Sequence, residues 1–108
     1  MPENNFSIKI TAQAEAELTR ILDYISNVFY AKETAEKTLA RITKTLEQIK
    51  EMPYSAPLMD EPEYKEIGIH RLVVKNYSIF YLVNEEKRKV EIIHILHGMQ
   101  DYTQKLLT

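Results

Sequence analysis

Tyr77-Ser78-Ile79-Phe80-Tyr81-Leu82-Val83-Asn84 is the stretch on which the architecture turns. Its β-branched and aromatic residues suit a pleated, half-buried surface. In a strand of period two, Tyr77, Ile79, Tyr81 and Val83 share one face while Ser78, Phe80, Leu82 and Asn84 share the other. Both faces carry bulky apolar groups, so this strand needs cover on both sides. The flanking stretches Ile67 to Lys75 and Lys89 to His97 have the same character, and Asn84-Glu85-Glu86-Lys87-Arg88 between them reads as a polar turn. Three strands so close in sequence form an antiparallel meander.

Upstream the period changes twice. Phe6, Ile8 and Ile10 alternate with Ser7 and Lys9, which predicts a short strand with one buried face. Thr11 then has the character of a helix N-cap. From Ala14 the apolar positions take helical spacing: Ala14, Leu18, Ile21, Leu22, Ile25, Val28 and Phe29 form one stripe, with Glu15, Glu17, Arg20 and Asp23 outside it. The stripe resumes at Ala35, Leu39, Ile42, Leu46 and Ile49. Val28 and Ala35 are seven residues apart, so the pattern also fits one unbroken helix of about 60 Å, too long for a chain of 108 residues. A two-helix hairpin breaking near Tyr30 to Glu33 is more economical, although no Gly or Pro marks the turn. Met52 to Glu66, with Pro53, Pro57 and Pro62, predicts an irregular loop. The expected fold class is α+β: an N-terminal strand and a two-helix hairpin packed on a mainly antiparallel sheet, in a single domain over residues 1–108. The hairpin covers one sheet face, and the C-terminal tail or a bound partner segment covers the other.

Composition excludes several classes of function. With 44% hydrophobic and 28% charged residues the chain is globular in type. It has no cysteine, which rules out disulfides and thiolate metal sites. The formal net charge of −2 argues against a sequence-independent grip on nucleic acid, which depends on neutralising phosphates with Lys and Arg. Residues 63–108 hold seven basic and six acidic side chains, so the C-terminal half is only slightly basic. No stretch is long enough to cross a bilayer, and Met1 to Asn5 open no secretory signal, so a cytoplasmic protein without membrane contact is expected. Three histidines without a tight acidic cluster predict neither a metal site nor a cofactor.

Read in order, these stretches resemble one family. Gly68-Ile69-His70-Arg71-Leu72-Val73-Val74-Lys75-Asn76-Tyr77-Ser78-Ile79-Phe80-Tyr81-Leu82-Val83 is followed by Ile95-Leu96-His97-Gly98-Met99-Gln100-Asp101. Together they resemble the RelE/ParE pattern of an Arg, then Tyr-x-Ile-x-Tyr-x-Val, then a closing His-Gly-Arg-Arg-Asp-like motif. Thr11-Ala12-Gln13-Ala14-Glu15-Ala16-Glu17-Leu18 with Tyr24-Ile25 resembles the family's first helix, and Ile49 through Pro53 the end of its second. The resemblance implies a RelE/ParE-like fold and a growth-inhibiting toxin of a type II bacterial toxin–antitoxin system. Its partner is then a cognate antitoxin whose segment wraps it, and operator DNA is reached only through that antitoxin. RelE-like members enter the ribosomal A site and cut messenger RNA, whereas ParE-like members share the fold without that chemistry and inhibit DNA gyrase.

The residues weigh between these targets. Metal-free RNA cleavage needs a group to activate the 2′-hydroxyl, cations to stabilise the phosphorane, and an acid for the leaving oxygen. By family position, the RelE-like branch carries an Arg where this chain has Ser78, and another where it has Met99-Gln100. If the chain is a ribonuclease, the resemblance leaves Arg71, Lys75, His97 and Tyr102 as its catalytic set. Losing two cations at ~100- to 1,000-fold each favours the ParE-like reading, a binding protein directed at gyrase. The ribosome-dependent endonuclease is the alternative, and a decayed toxin that only binds antitoxin as co-repressor is a further one. Structural roles compete with each site residue: His97 as a turn-bonding histidine, Arg71 as a partner of Glu66 or Asp101, Tyr77 and Tyr81 as core aromatics. His94, in phase with Ile92 and Leu96, is expected against a core or tail, and His70 on the surface. Candidates for the antitoxin groove are Phe6, Leu22, Ile25 and Phe29.

Overall fold

A computed structural model describes residues 6–28 and 30–97. Strand β1 (Ser7–Ile10) leads into helix α1 (Ala12–Asp23), a π-helical turn (Tyr24–Val28) and helix α2 (Lys32–Glu51). A short helix α3 (Pro62–Ile67) then precedes strands β2 (His70–Val74), β3 (Tyr77–Asn84) and β4 (Lys89–His97). The sheet order is β1-β4-β3-β2. β2, β3 and β4 form the antiparallel meander, and β1 adds to the far side of β4 in parallel. A parallel neighbour requires a crossover rather than a tight turn, and the two helices supply it.

Thr11 caps α1 as its chemistry predicts, its hydroxyl accepting the Ala14 N–H at 3.1 Å. The buried face of α2 is Ala35, Thr38, Ile42, Thr45, Leu46 and Ile49. Leu39, counted in the stripe by spacing, instead lies on the exposed side. Thr45 accommodates burial by donating its hydroxyl to the Arg41 carbonyl one turn back, at 2.9 Å. This face packs on Ile79 and Tyr81 of β3 and Val90, Ile92 and Ile95 of β4, with Phe6 and Ala14 closing the same core.

The opposite sheet face is where sequence and structure part. Residues 62–66, expected within an irregular loop, and Ile67, expected to open a strand, together form α3, and β2 begins only at His70. The signals for that helix are in the sequence: Pro62 sits in its first turn, and Gly68 follows its end with a φ of 92°. Proline costs nothing where the first N–H groups have no intrahelical partner, and glycine takes the left-handed cap. Gly68 N–H reaches the Tyr64 carbonyl at 2.9 Å, and Ile69 N–H reaches it at 3.1 Å. Tyr64, Met59 and Ile69 then bury Phe80 and Leu96 in a second core, with Leu82 and Ile93 against it. Cover for this face therefore comes from α3 and its flanks; the C-terminal tail, residues 98–108, lies outside the described residues.

β4 carries a bulge. Phe80 pairs with His94 but Tyr81 with Ile92, so Ile93 is an extra residue. The bulge reverses the phase of the strand: Ile92 faces α2, whereas His94 and Leu96 face the other way. The simple alternation of Ile92, His94 and Leu96 expected from sequence does not hold.

Candidate functional site

β2 places Arg71 opposite Phe80, on the sheet face away from α2. The guanidinium donates from Nε to the Ser78 hydroxyl at 3.1 Å and lies 5.9 Å from the centre of the Phe80 ring. Ser78 is buried, so the residue standing at a RelE-like arginine position is here a small hydroxyl that holds Arg71 against the sheet. Arg71 also lines a groove of about 350 Å³ with Pro57, Leu58, Met59, Asp60, Glu61 and Val73. Two carboxylates rim it. A second cleft at the far end of this face, about 630 Å³, runs from Ile67 and Gly68 to Leu82, Glu85, Glu86, Lys87, Lys89 and Glu91. A phosphate entering either would meet acidic groups beside the cations, and the Coulomb interaction with those carboxylates is repulsive.

His97 does not join Arg71. It pairs with Tyr77 across β3 and β4, their rings edge to face with centroids 5.6 Å apart. Directly opposed residues share a face, and Tyr77 and Phe80 are three apart on a regular part of β3, so they point to opposite sides. Arg71 and His97 therefore face away from each other through the sheet. Lys75 lies in the two-residue turn between β2 and β3 at a φ of 58°, exposed, on neither face. Tyr102, Met99 and Gln100 lie outside the described residues, as does Asp101, one of the partners expected for Arg71.

The remaining histidines are structural. His70, expected on the surface, is buried. Its Nδ1–H donates to the Ala56 carbonyl at 2.8 Å, and its ring stacks on Tyr81 at 5.0 Å. Tyr81 donates its hydroxyl to the Pro53 carbonyl at 2.8 Å, so this pair fastens the loop after α2 to the sheet. Burial pushes the Tyr81 phenol up to about 12, a backbone hydrogen bond from Ala56 pulling weakly the other way. Tyr54, edge-on to His70 and Phe6, donates to the Glu85 carboxylate. That bond raises its pKa. Arg88 lies over Phe6 at 4.4 Å and pairs with Glu85 at 2.7 Å. Phe6 is thus sealed between Arg88 and Tyr54, in the core rather than on an open groove.

His94 meets a residue that periodicity set outside the α1 stripe. Glu17 is 4% exposed. Its carboxylate accepts the Ile95 N–H at 3.0 Å, the His94 Nδ1–H at 2.8 Å and the Gln13 amide at 3.0 Å. β1 pairs with β4 only as far as Ile10 and Ile92, so among the described residues the outer edge of β4 beyond that point has no strand partner. Glu17 supplies the missing acceptor. Nothing in a single apolar stripe signals this, because the demand arises from where the neighbouring strand stops.

The helical hairpin also exposes apolar surface. Leu22 and Ile25 are half-buried, Tyr24 and Val28 are exposed, and Tyr30 is 90% exposed; Phe29 lies outside the described residues. Leu22 and Ile25 are therefore accessible in part to a partner, unlike Phe6. Among the described residues no group of His, Asp or Glu could hold a metal ion, and no helix is long and apolar enough to cross a membrane.

Comparison with known proteins agrees with this fold. The sequence matches the family model "ParE toxin of type II toxin-antitoxin system, parDE" over residues 8–102. Among solved structures, a chain of the chromosomal ParDE toxin–antitoxin system from P. aeruginosa superposes with a TM-score of 0.70 at 20% identity, covering 87% of this chain and 97% of that one. A chain of the RelBE2 toxin–antitoxin complex from Mycobacterium tuberculosis gives 0.54 at 11% identity, covering 86% and 91%. No curated protein matches the sequence.

Proposed function

The chain belongs to the ParE toxin family of type II toxin–antitoxin systems, and from that premise we propose that it inhibits growth by binding DNA gyrase, not by cutting RNA. The observation that carries this reading is the separation of Arg71 and His97 onto opposite faces of the sheet. A single phosphate cannot be reached by both, and cleavage requires acid, base and cation within hydrogen-bond reach of one reacting centre. Arg71 is further engaged by Ser78, in a groove rimmed by Asp60 and Glu61. Gyrase as the target follows from the ParE family resemblance. The toxin works in the cytoplasm and is neutralised by a cognate antitoxin, through which alone it reaches operator DNA. The half-buried Leu22 and Ile25 on the hairpin are the residues we assign to the antitoxin contact.

The purified protein, added to gyrase and supercoiled plasmid, traps gyrase–DNA cleavage complexes, and premixing with the antitoxin abolishes the effect. Unchanged gyrase activity at saturating protein refutes the target. In a translating extract, breaks in messages that disappear with Arg71→Ala would instead establish the ribosome-dependent endonuclease with Arg71, Lys75, His97 and Tyr102. Tight antitoxin binding without growth arrest would establish the decayed co-repressor.

A further inference from the structure

The turn between α1 and α2 is built from residues that suit a helix. From Ala12 to Glu51 the sequence has no Gly or Pro, and the apolar positions keep one helical phase across the junction. α2 starts after Ala31 with no side-chain cap. The chain reverses by widening into the π-helical turn Tyr24–Val28 and closing it with an Ala31 N–H to Ile25 carbonyl bond of 3.2 Å. Tyr30 is held at a φ of 52°. Isolated π turns are rare, and a residue with a β-carbon resists the left-handed region. Tyr24, Val28 and Tyr30 are exposed and Ile25 is only half-buried, so burial of the described turn residues offsets little of that strain.

What keeps the hairpin closed lies elsewhere. β1 pairs with β4, Ala14, Leu18 and Ile21 pack into the main core, and Glu17 accepts from Ile95 and His94. Each of these contacts joins the β1–α1 segment to the rest of the molecule. The same segment of a second copy makes them equally well. Strained hinges between segments with interchangeable partners favour exchange between protomers.

We propose that two copies of this chain form a domain-swapped dimer, in which Tyr24–Ala31 straightens so that α1 and α2 become one helix of about 60 Å. The β1–α1 segment of each copy then docks on β4 of the other, and Glu17 of one copy accepts from Ile95 of the other. The hinge is relieved twice per dimer, and the opposing term is the entropy of association. Interconversion requires β1 and α1 to leave the sheet, so it is slow.

The test is to unfold the full chain, refold it across a range of concentrations, and separate species by size-exclusion chromatography with light scattering. The expected result is a dimer that persists on dilution, with the hinge amides of Asn27, Val28, Tyr30 and Ala31 more strongly protected from hydrogen exchange in the dimer than in the monomer. Tyr30→Gly frees the left-handed turn and weakens the open helix. With about tenfold for each hinge, the dimerisation constant falls about a hundredfold. Tyr30→Ala keeps the strain, favours the helix and raises the constant. Tyr30 is exposed, so both variants fold. A chain that stays monomeric at every refolding concentration overturns the proposal. So does a dimer whose hinge amides exchange as in the monomer, or a Tyr30→Gly variant that dimerises like the wild type.

Discussion

Replacing Glu17 with alanine removes the carboxylate that stands in for a strand beside β4. Three donors lose their acceptor: the Ile95 N–H, the His94 Nδ1–H and the Gln13 amide. Gln13 is exposed and finds water. Ile95 is fully buried, and an unsatisfied buried N–H costs about 1–3 kcal/mol. His94, its side chain 13% exposed, loses a bond to a charged group worth about 1.5–3 kcal/mol. These terms overlap and part is recovered by relaxation, so the expected loss is about 3 kcal/mol. Glu17→Gln keeps the shape and one acceptor oxygen but turns an NH2 group toward another donor, so about 1–2 kcal/mol is expected. Urea unfolding reads these values from midpoints at constant slope, and for a domain of this size about 3 kcal/mol corresponds to a fall in Tm of roughly 12–24 °C. Hydrogen exchange then localises the effect to the Ile95 amide. A Glu17→Ala loss under about 1 kcal/mol, with Ile95 still protected as in the wild type, would refute the reasoning. A double-mutant cycle with His94→Ala should show coupling of about 0.5–3 kcal/mol, as for groups in one buried network.

Tyr81→Phe leaves the Pro53 carbonyl without its 2.8 Å donor, and urea unfolding near neutral pH should show a loss of about 1–2 kcal/mol. The Tyr81 phenol is raised from 10.0 to about 12 in the folded state, so the stability it contributes is fully present below pH 10. That contribution is lost as pH rises from 10 through about 12, because the unfolded chain releases the proton first; the gap between wild type and Tyr81→Phe should narrow over that window, and a gap that widens there would contradict the assignment. Lys75→Gly should stabilise the β2–β3 hairpin by up to about 1 kcal/mol, since the φ of 58° is unstrained for glycine while the unfolded chain gains freedom; thermal unfolding checks the sign.

The strands of the meander were legible because each shows its faces locally. Tyr77 to Asn84 and Lys89 to His97 begin and end where their composition says, and the hairpin and the Thr11 cap follow from period and side-chain chemistry. α3 was legible in principle, from Pro62 and Gly68 at its two ends, but six residues are too short for an apolar stripe to declare itself. The bulge at Ile93 gives no local signal, since one inserted residue in an apolar run still reads as strand. It nevertheless decides which way His94 points.

Of the candidate site, the sequence by itself determined the parts: an α+β chain, the missing arginine at Ser78, and the family those residues resemble. It left Arg71 and His97 as plausible partners because they occupy expected positions in two motifs. Only the tertiary structure decided that they face opposite sides of the sheet, that His70 is buried on Tyr81, and that Glu17 is inside. The physical reason is common to all three. Periodicity tells a residue's side within its own element, whereas the register between strands and the point at which β1 stops set which of those sides coincide.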